Sequence, residues 1–203
     1  MADSANQSNQ AKVFSIGHSN QSVEDFLSLL ERHGIEVLVD VRSYPYSKYT
    51  TQFNSPELKA AVTHGGLKYL FMGKELGGRP DDRTLYDETG RVKYSQVAQS
   101  PLFLEGLARL LKGLEQYRVA LMCTEEDPIG CHRHLLVSRV LTAQGIEVGH
   151  IRGDGRIQTE AELKGQTEDD PAQLTLFSDE EYTEWKSIRP VLPKKPPSSS
   201  SKP

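Results

Sequence analysis

The chain has no run approaching the ~18 consecutive apolar residues of a membrane-spanning helix, so a helical span is excluded and no membrane partner is expected. It has only two cysteines in 203 residues, Cys123 and Cys131, too few for the disulfide framework of a small secreted scaffold. A reducing compartment would keep both as thiols. It lacks a basic excess: 24 Lys and Arg against 28 Asp and Glu give a formal net charge of -4, so no global field draws it to nucleic acid. A local basic patch is compatible with that balance. No basic segment followed by an apolar stretch opens the sequence, so no secretory signal is expected and a cytoplasmic location is the default. Internal repeats and heptad runs are also missing.

What is present is a chain whose polarity sits at its two ends. Residues 1–11 contain no apolar cluster, and residues 153–203 are rich in charge, Pro and Ser. The expected organisation is a disordered tail over 1–11, a single α/β domain over 12–152, and a polar tail over 153–203. Its Pro/Ser/Lys-rich end, from Pro193, is expected to be disordered. The middle segment, about 140 residues, is long enough for one sizeable core.

Periodicity orders that core. Val13 to Ile16 reads as a strand ending at Gly17. Ser22 can cap a helix, with Asp25 completing a capping box and Val23, Phe26, Leu27 and Leu30 on one face. Ile35 to Val41 is almost continuously apolar, as in a strand buried on both faces. A helix from Ser55-Pro56 to Gly65, a strand from Leu67 to Met72, and a long loop over 73–90 follow. Phe103, Leu107, Leu110, Leu111 and Leu114 mark a further helix. Val119 to Cys123, residues 132–144 and Glu147 to Ile151 read as strand, helix and strand. This alternation predicts a three-layer α/β fold, a mostly parallel five-stranded sheet with helices on both faces, Rossmann-like.

In such sheets ligands bind beyond the carboxyl ends of the strands. Those ends carry His18-Ser19-Asn20, Asp40-Val41-Arg42-Ser43, the Gly77-Gly78 loop, and Cys123 and Glu125 followed closely by Cys131-His132-Arg133. Cys131 and His132 stand at the expected start of a helix, whose dipole lowers a thiol pKa. Arg133 and Arg42 suit anionic groups, unless Arg42 forms an internal ion pair with Asp40 or Glu125 pairs with Arg133. Asp40 and Glu125 are candidates for acid/base work. His18, Ser19, Asn20, Ser43, Gly77, Gly78 and Cys123 complete the substrate-binding candidates. Tyr44, Tyr46, Tyr49 and Phe53 interleave with Arg42 and Lys48, a mixture that suits base stacking and phosphate contact. No cofactor is implied. Zinc is a minor option, because Cys-x7-Cys-His lacks the tight spacing of structural zinc sites and needs a remote ligand such as His18.

The blocks Ile-Gly-His-Ser-Asn at 16–20, Val-Asp-Val-Arg-Ser at 39–43, Gln-Phe-Asn at 52–54 and Glu-Leu-Gly-Gly-Arg at 75–79 resemble the domain of unknown function family 488. Its closing signature, Cys-x-Glu followed by Cys-His-Arg, is matched by Cys123, Glu125 and Cys131-His132-Arg133. The resemblance covers about residues 13–151, with Tyr49-Thr50-Thr51 standing where relatives more often carry Asn-Pro. It implies a fold and a site location and supplies no reaction. A weaker similarity to rhodaneses rests on an Asp-Val-Arg strand and a cysteine after a later strand, without their cysteine loop closing on Arg.

Gln173-Leu174-Thr175-Leu176-Phe177 resembles the bacterial sliding-clamp-binding peptide, Gln-Leu-x-Leu-Phe. Gln173, Leu174, Leu176 and Phe177 would be its partner-binding residues; alternatively Leu174, Leu176, Phe177 and Trp185 dock on their own domain. The favoured functional reading is an enzyme acting on a nucleotide or nucleic-acid substituent, by hydrolase- or glycosidase-like chemistry, with Cys131, Glu125, Asp40 and His132 as catalytic candidates. A thiol-dependent, rhodanese-like transferase and a non-catalytic adaptor of DNA metabolism are the alternatives.

Overall fold

Ser22 starts the first helix as its sequence anticipates. In the computed structural model of the chain, which describes residues 13–168 and 185–191, α1 runs Val23–Arg32. The Ser22 hydroxyl accepts from the Asp25 backbone N–H at 3.0 Å and donates to the Asp25 carboxylate at 2.7 Å, closing the first turn. Helix α2 is Ser55–His64, and α3 is a short Tyr94–Val97. Helix α4 is Pro101–Leu114, capped by Ser100. A π-helical segment at Arg133–Ser138 continues into α5, Arg139–Ala143, and α6 is Glu160–Glu168. No helix among the described residues is long and apolar enough to cross a membrane.

The strands are β1 (Val13–Gly17), β2 (Val37–Asp40), β3 (Lys68–Phe71), β4 (Val119–Cys123), β5 (Val148–Ile151) and β6 (Ile157–Thr159). They form one sheet in the order β3-β2-β4-β1-β5-β6, parallel except for the β5–β6 pair. Where five strands are expected, the described residues hold six. Ile157-Gln158-Thr159 sits in a polar segment with its one apolar side chain exposed, so β6 carries no strand signature and is held by backbone pairing with β5.

Alternation along the strands divides the core. Val13, Val119, Leu121, Val37, Val39 and Val148 pack with Leu107, Leu110, Leu136 and Leu141 on one face. Phe14, Ile16, Leu38, Ala120, Met122 and Ile151 pack with α1 and α2 on the other. By the same alternation Cys123 follows Leu121 and Asp40 follows Leu38, so their side chains leave the sheet on opposite faces.

The packed structure continues past residue 152, where polarity alone placed the start of a tail. Beyond α6, Trp185 is buried in the first core, its indole N–H donating to Leu135 O at 2.6 Å and its ring 4.6 Å from the Arg139 guanidinium. Ser95 N and Ser187 N bond Trp185 O and Val92 O at 3.1 and 2.8 Å, which ties this segment to α3 and the loop before it. Trp185 thus docks on its own domain, as the sequence offered for it, whereas residues 1–11, 173–177 and the Pro/Ser/Lys-rich end from Pro193 lie outside the described residues.

Candidate functional site

Strand β4 delivers Cys123 to the carboxyl edge of the sheet, and the chain returns eight residues later with Cys131 and His132. Both sulfurs reach the same carboxylate oxygen, Glu125 Oε2, Cys123 Sγ at 3.1 Å and Cys131 Sγ at 3.3 Å. Both also face His132 Nδ1, at 3.7 and 3.8 Å. The other ring nitrogen, His132 Nε2, is 3.0 Å from Val41 O and can only donate there, so Nδ1 is left for the sulfurs.

This crowding separates the two thiols. The Cys131 S–H directed at Cys123, with the His132 imidazole beside it, holds the Cys123 pKa well below the usual thiol range. Burial, reinforced by Cys123 itself, pushes Cys131 well above it. Burial opposes protonation of His132, but the Cys123 charge outweighs it and raises the imidazole pKa. Glu125 is also raised, by lost hydration at its carboxyl and by Cys123. The sequence reading put the activated thiol on Cys131 at the helix start; the local charges favour Cys123.

Asp40, Arg42 and His18 form a second group. Arg42 Nε and Nη2 bond both oxygens of Asp40 at 2.9 and 2.7 Å, and Nη1 is 3.2 Å from His18 Nε2. His18 Nδ1 donates to Ser19 O at 2.8 Å, so Nε2 is the acceptor for Arg42 and the ring is neutral. Burial, then the Arg42 charge, lowers its pKa to about 4. Phe53 stacks on the ring, 4.2 Å between centroids. Tyr69 O–H donates to Asp40 Oδ2 at 2.7 Å.

Two expectations need correcting. Arg42 and Arg133, assigned to anionic ligands, are buried and turned to protein acceptors. The Arg133 guanidinium bonds Glu125 O and, at 2.6 Å, Glu126 O, fixing the loop that carries Glu125 rather than pairing with its carboxylate. A Cβ at Gly17 would lie 1.7 Å from Glu125 O and 2.7 Å from Arg133 Nη1, so this loop and arginine require glycine there. Asp40 and Arg42 form the internal ion pair that the sequence left open.

Gly77 and Gly78 act through packing. A Cβ at Gly78 would stand 2.6 Å from His132 Cβ, and one at Gly77 would stand 2.3 Å from Ser43 Oγ. Ser43 Oγ accepts from Arg79 N at 2.9 Å, which holds this loop against the ring. Ser19 has φ of 47°, and Asn20 is exposed beside it. Tyr44, Tyr46 and Tyr49 are exposed, with Lys48 over Tyr49 at 4.9 Å. Tyr69 and Tyr94 were missed from sequence; Tyr94 is buried among charges that include both cysteines, which raises its pKa after burial itself. Neither tyrosine stands in a motif, so only the fold reveals them.

Cys123, Cys131 and His132 offer donor atoms all within 4.8 Å of one another, a set that suits a thiophilic divalent metal such as zinc without help from His18. Nucleophilic and metal-binding uses alike demand deprotonated sulfur. No curated protein and no solved structure matches the chain. The family model described as Domain of unknown function DUF488 matches residues 22–140, a span that holds Asp40, Arg42, Gly77, Gly78 and all four members of the thiol cluster. The chain belongs to this family, DUF488.

Proposed function

We propose that the chain is an enzyme that removes or transfers a substituent on a nucleotide or nucleic acid, with Cys123 as nucleophile and Glu125 as acid and base. The observation behind this reading is convergence: two sulfurs share one carboxylate oxygen and one imidazole nitrogen at the carboxyl ends of parallel strands. A cysteine that only fills space needs neither an acid nor a base beside it. In the reaction, the Cys123 thiolate bonds to the electrophilic centre of the substituent as the bond to the leaving group breaks. Glu125, whose pKa burial and Cys123 raise, gives a proton to the leaving group. Water or another acceptor then attacks the sulfur-bound group, releasing the thiolate and returning a proton to Glu125.

Exposed side chains support this substrate class. The exposed Tyr44, Tyr46 and Tyr49, with exposed Lys48 and Arg79, offer aromatic faces and cations to bases and phosphates. Residues 173–177 would recruit this activity to the sliding clamp. The test is alkylation by iodoacetamide as a function of pH in the full chain. The expected profile titrates well below the free-thiol value of about 8.5 and loses that component in Cys123→Ala. Normal titration of both thiols sinks nucleophilic sulfur and leaves carboxylate chemistry at Glu125.

A further inference from the structure

A second set of side chains converges away from the thiol cluster. Ser15 on β1 and His150 on β5 are register neighbours, and Ser15 Oγ lies 2.6 Å from His150 Nδ1. The opposite nitrogen, His150 Nε2, meets Glu160 Oε1 at 2.8 Å, and His134 Nδ1 meets Glu160 Oε2 at 2.9 Å. His134 Nδ1 is also 3.1 Å from Oε1, so both imidazoles converge on the one carboxylate. The side chains of His150, His134 and Glu160 are 1%, 5% and 13% exposed, and their donor atoms all lie within 4.8 Å of one another. The proposed function uses none of them.

We propose that His134, His150 and Glu160 bind a divalent transition-metal ion of the zinc type, with Ser15 orienting His150 from behind. Two imidazoles and one carboxylate are a donor set for such ions, and three protein ligands leave one position for water. Bonds of about 2.0–2.1 Å in tetrahedral geometry put donors roughly 3.3 Å apart, so the hydrogen-bonded set needs to open by only about half an ångström. Ser15 suits both states. Its hydroxyl donates to Nδ1 while Nε2–H faces Glu160, and accepts from Nδ1–H once Nε2 turns its lone pair to an ion.

Two further features bear on the site. His134 stands in the π-helical segment, a helix irregularity frequent at functional sites. In the same segment Ser138 Oγ is buried with no hydrogen-bond partner among the described residues, a spare polar group one turn from His134. The nearby Arg133 guanidinium is already engaged by Glu125 O and Glu126 O. A bound ion would join β5, the π-helical segment and the start of α6.

The test is titration of Co²⁺ and Zn²⁺ into the chelator-treated full chain, beside a thiol-free Cys123→Ala/Cys131→Ala variant. The thiol-free variant is expected to bind one ion per chain, with cobalt ligand-field bands and no thiolate charge-transfer band. Glu160→Gln should weaken this binding on the order of 100-fold, and Ser15→Ala, which removes no ligand, about 10-fold. Should the thiol-free variant not fold, Glu160→Gln in the native chain must lose one nitrogen/oxygen-ligated cobalt while any thiolate band persists. A folded thiol-free variant that binds no ion, or cobalt binding indifferent to Glu160→Gln, overturns the proposal. Either result leaves the Cys123 reading untouched, since the alkylation profile tests that independently.

Discussion

His18 illustrates how one residue's chemistry is fixed by its neighbours. Its ring is pinned between Ser19 O and the Arg42 guanidinium, so protonating it in the folded state would face a cation and a buried setting. A pKa lowered to about 4 from about 6.5 corresponds to roughly 3 kcal/mol. The unfolded chain takes up this proton as pH falls below about 6.5, whereas the folded chain resists until about 4. Stability is therefore full above 6.5, declines across that window and levels off below it. Urea unfolding near pH 7 and near pH 4 should show a smaller loss in His18→Gln, whose amide oxygen still accepts from Arg42; an equal loss means His18 titrates elsewhere. The identities of His18, Asp40, Cys123, Glu125, Cys131 and His132 were legible because polar chemistry stood at strand ends. Of their partners, the sequence offered Arg42 for Asp40; most of the others were not legible. The His132–Val41 contact spans 91 positions, and the bonds of Arg133 to backbone carbonyls leave no trace in residue type.

At the scale of elements, the longer helices could be read from a periodic buried face and the inner parallel strands from apolar runs, whereas α3, α6, β6 and the path of the loop after β3 could not. That loop carries Gly77 and Gly78 across the site, and its shape is set by contact rather than by pattern. Two glycines should respond to alanine with opposite signs. At Gly78 the added methyl meets His132 Cβ and Cγ, both at 2.6 Å, so either the loop lifts or the ring leaves Val41 O. We expect a loss of roughly 1–3 kcal/mol, the usual range for overpacking, together with a thiol titration shifted toward the free value. At Gly113, inside α4, a Cβ meets nothing within 4 Å, and alanine should stabilise by about 0.5–1 kcal/mol through helix propensity. Thermal unfolding of the two variants checks both signs. A neutral Gly78→Ala with unchanged alkylation would mean the loop does not brace His132.

At the scale of the molecule, the question is how the segment after β5 relates to the core. Its polarity hid β6 and α6, because a strand of three residues and a largely polar helix give no periodic apolar face, whereas Trp185, offered from sequence as docking on its own domain, is buried in the core. Residues 173–177 fall between α6 and Trp185 in the sequence. The two anchoring readings make separable predictions. Trp185→Ala removes a ring packed beside Arg139 and bonded to Leu135 O, and should destabilise by about 3–5 kcal/mol; Trp185→Phe should fall well short of that. Leu176→Ala/Phe177→Ala should leave the thermal unfolding midpoint of the full chain where it was and abolish binding to the sliding clamp. Two large adjacent apolar side chains gain several kcal/mol by entering an apolar pocket, and Gln173 would set their register by hydrogen bonds. Under the proposed recruitment, such tethering would raise the effective concentration of the site near DNA without a basic excess, in a chain whose net charge is -4. Clamp binding that survives the double substitution refutes recruitment, and a large fall in the midpoint would show that Leu176 and Phe177 stabilise their own domain instead.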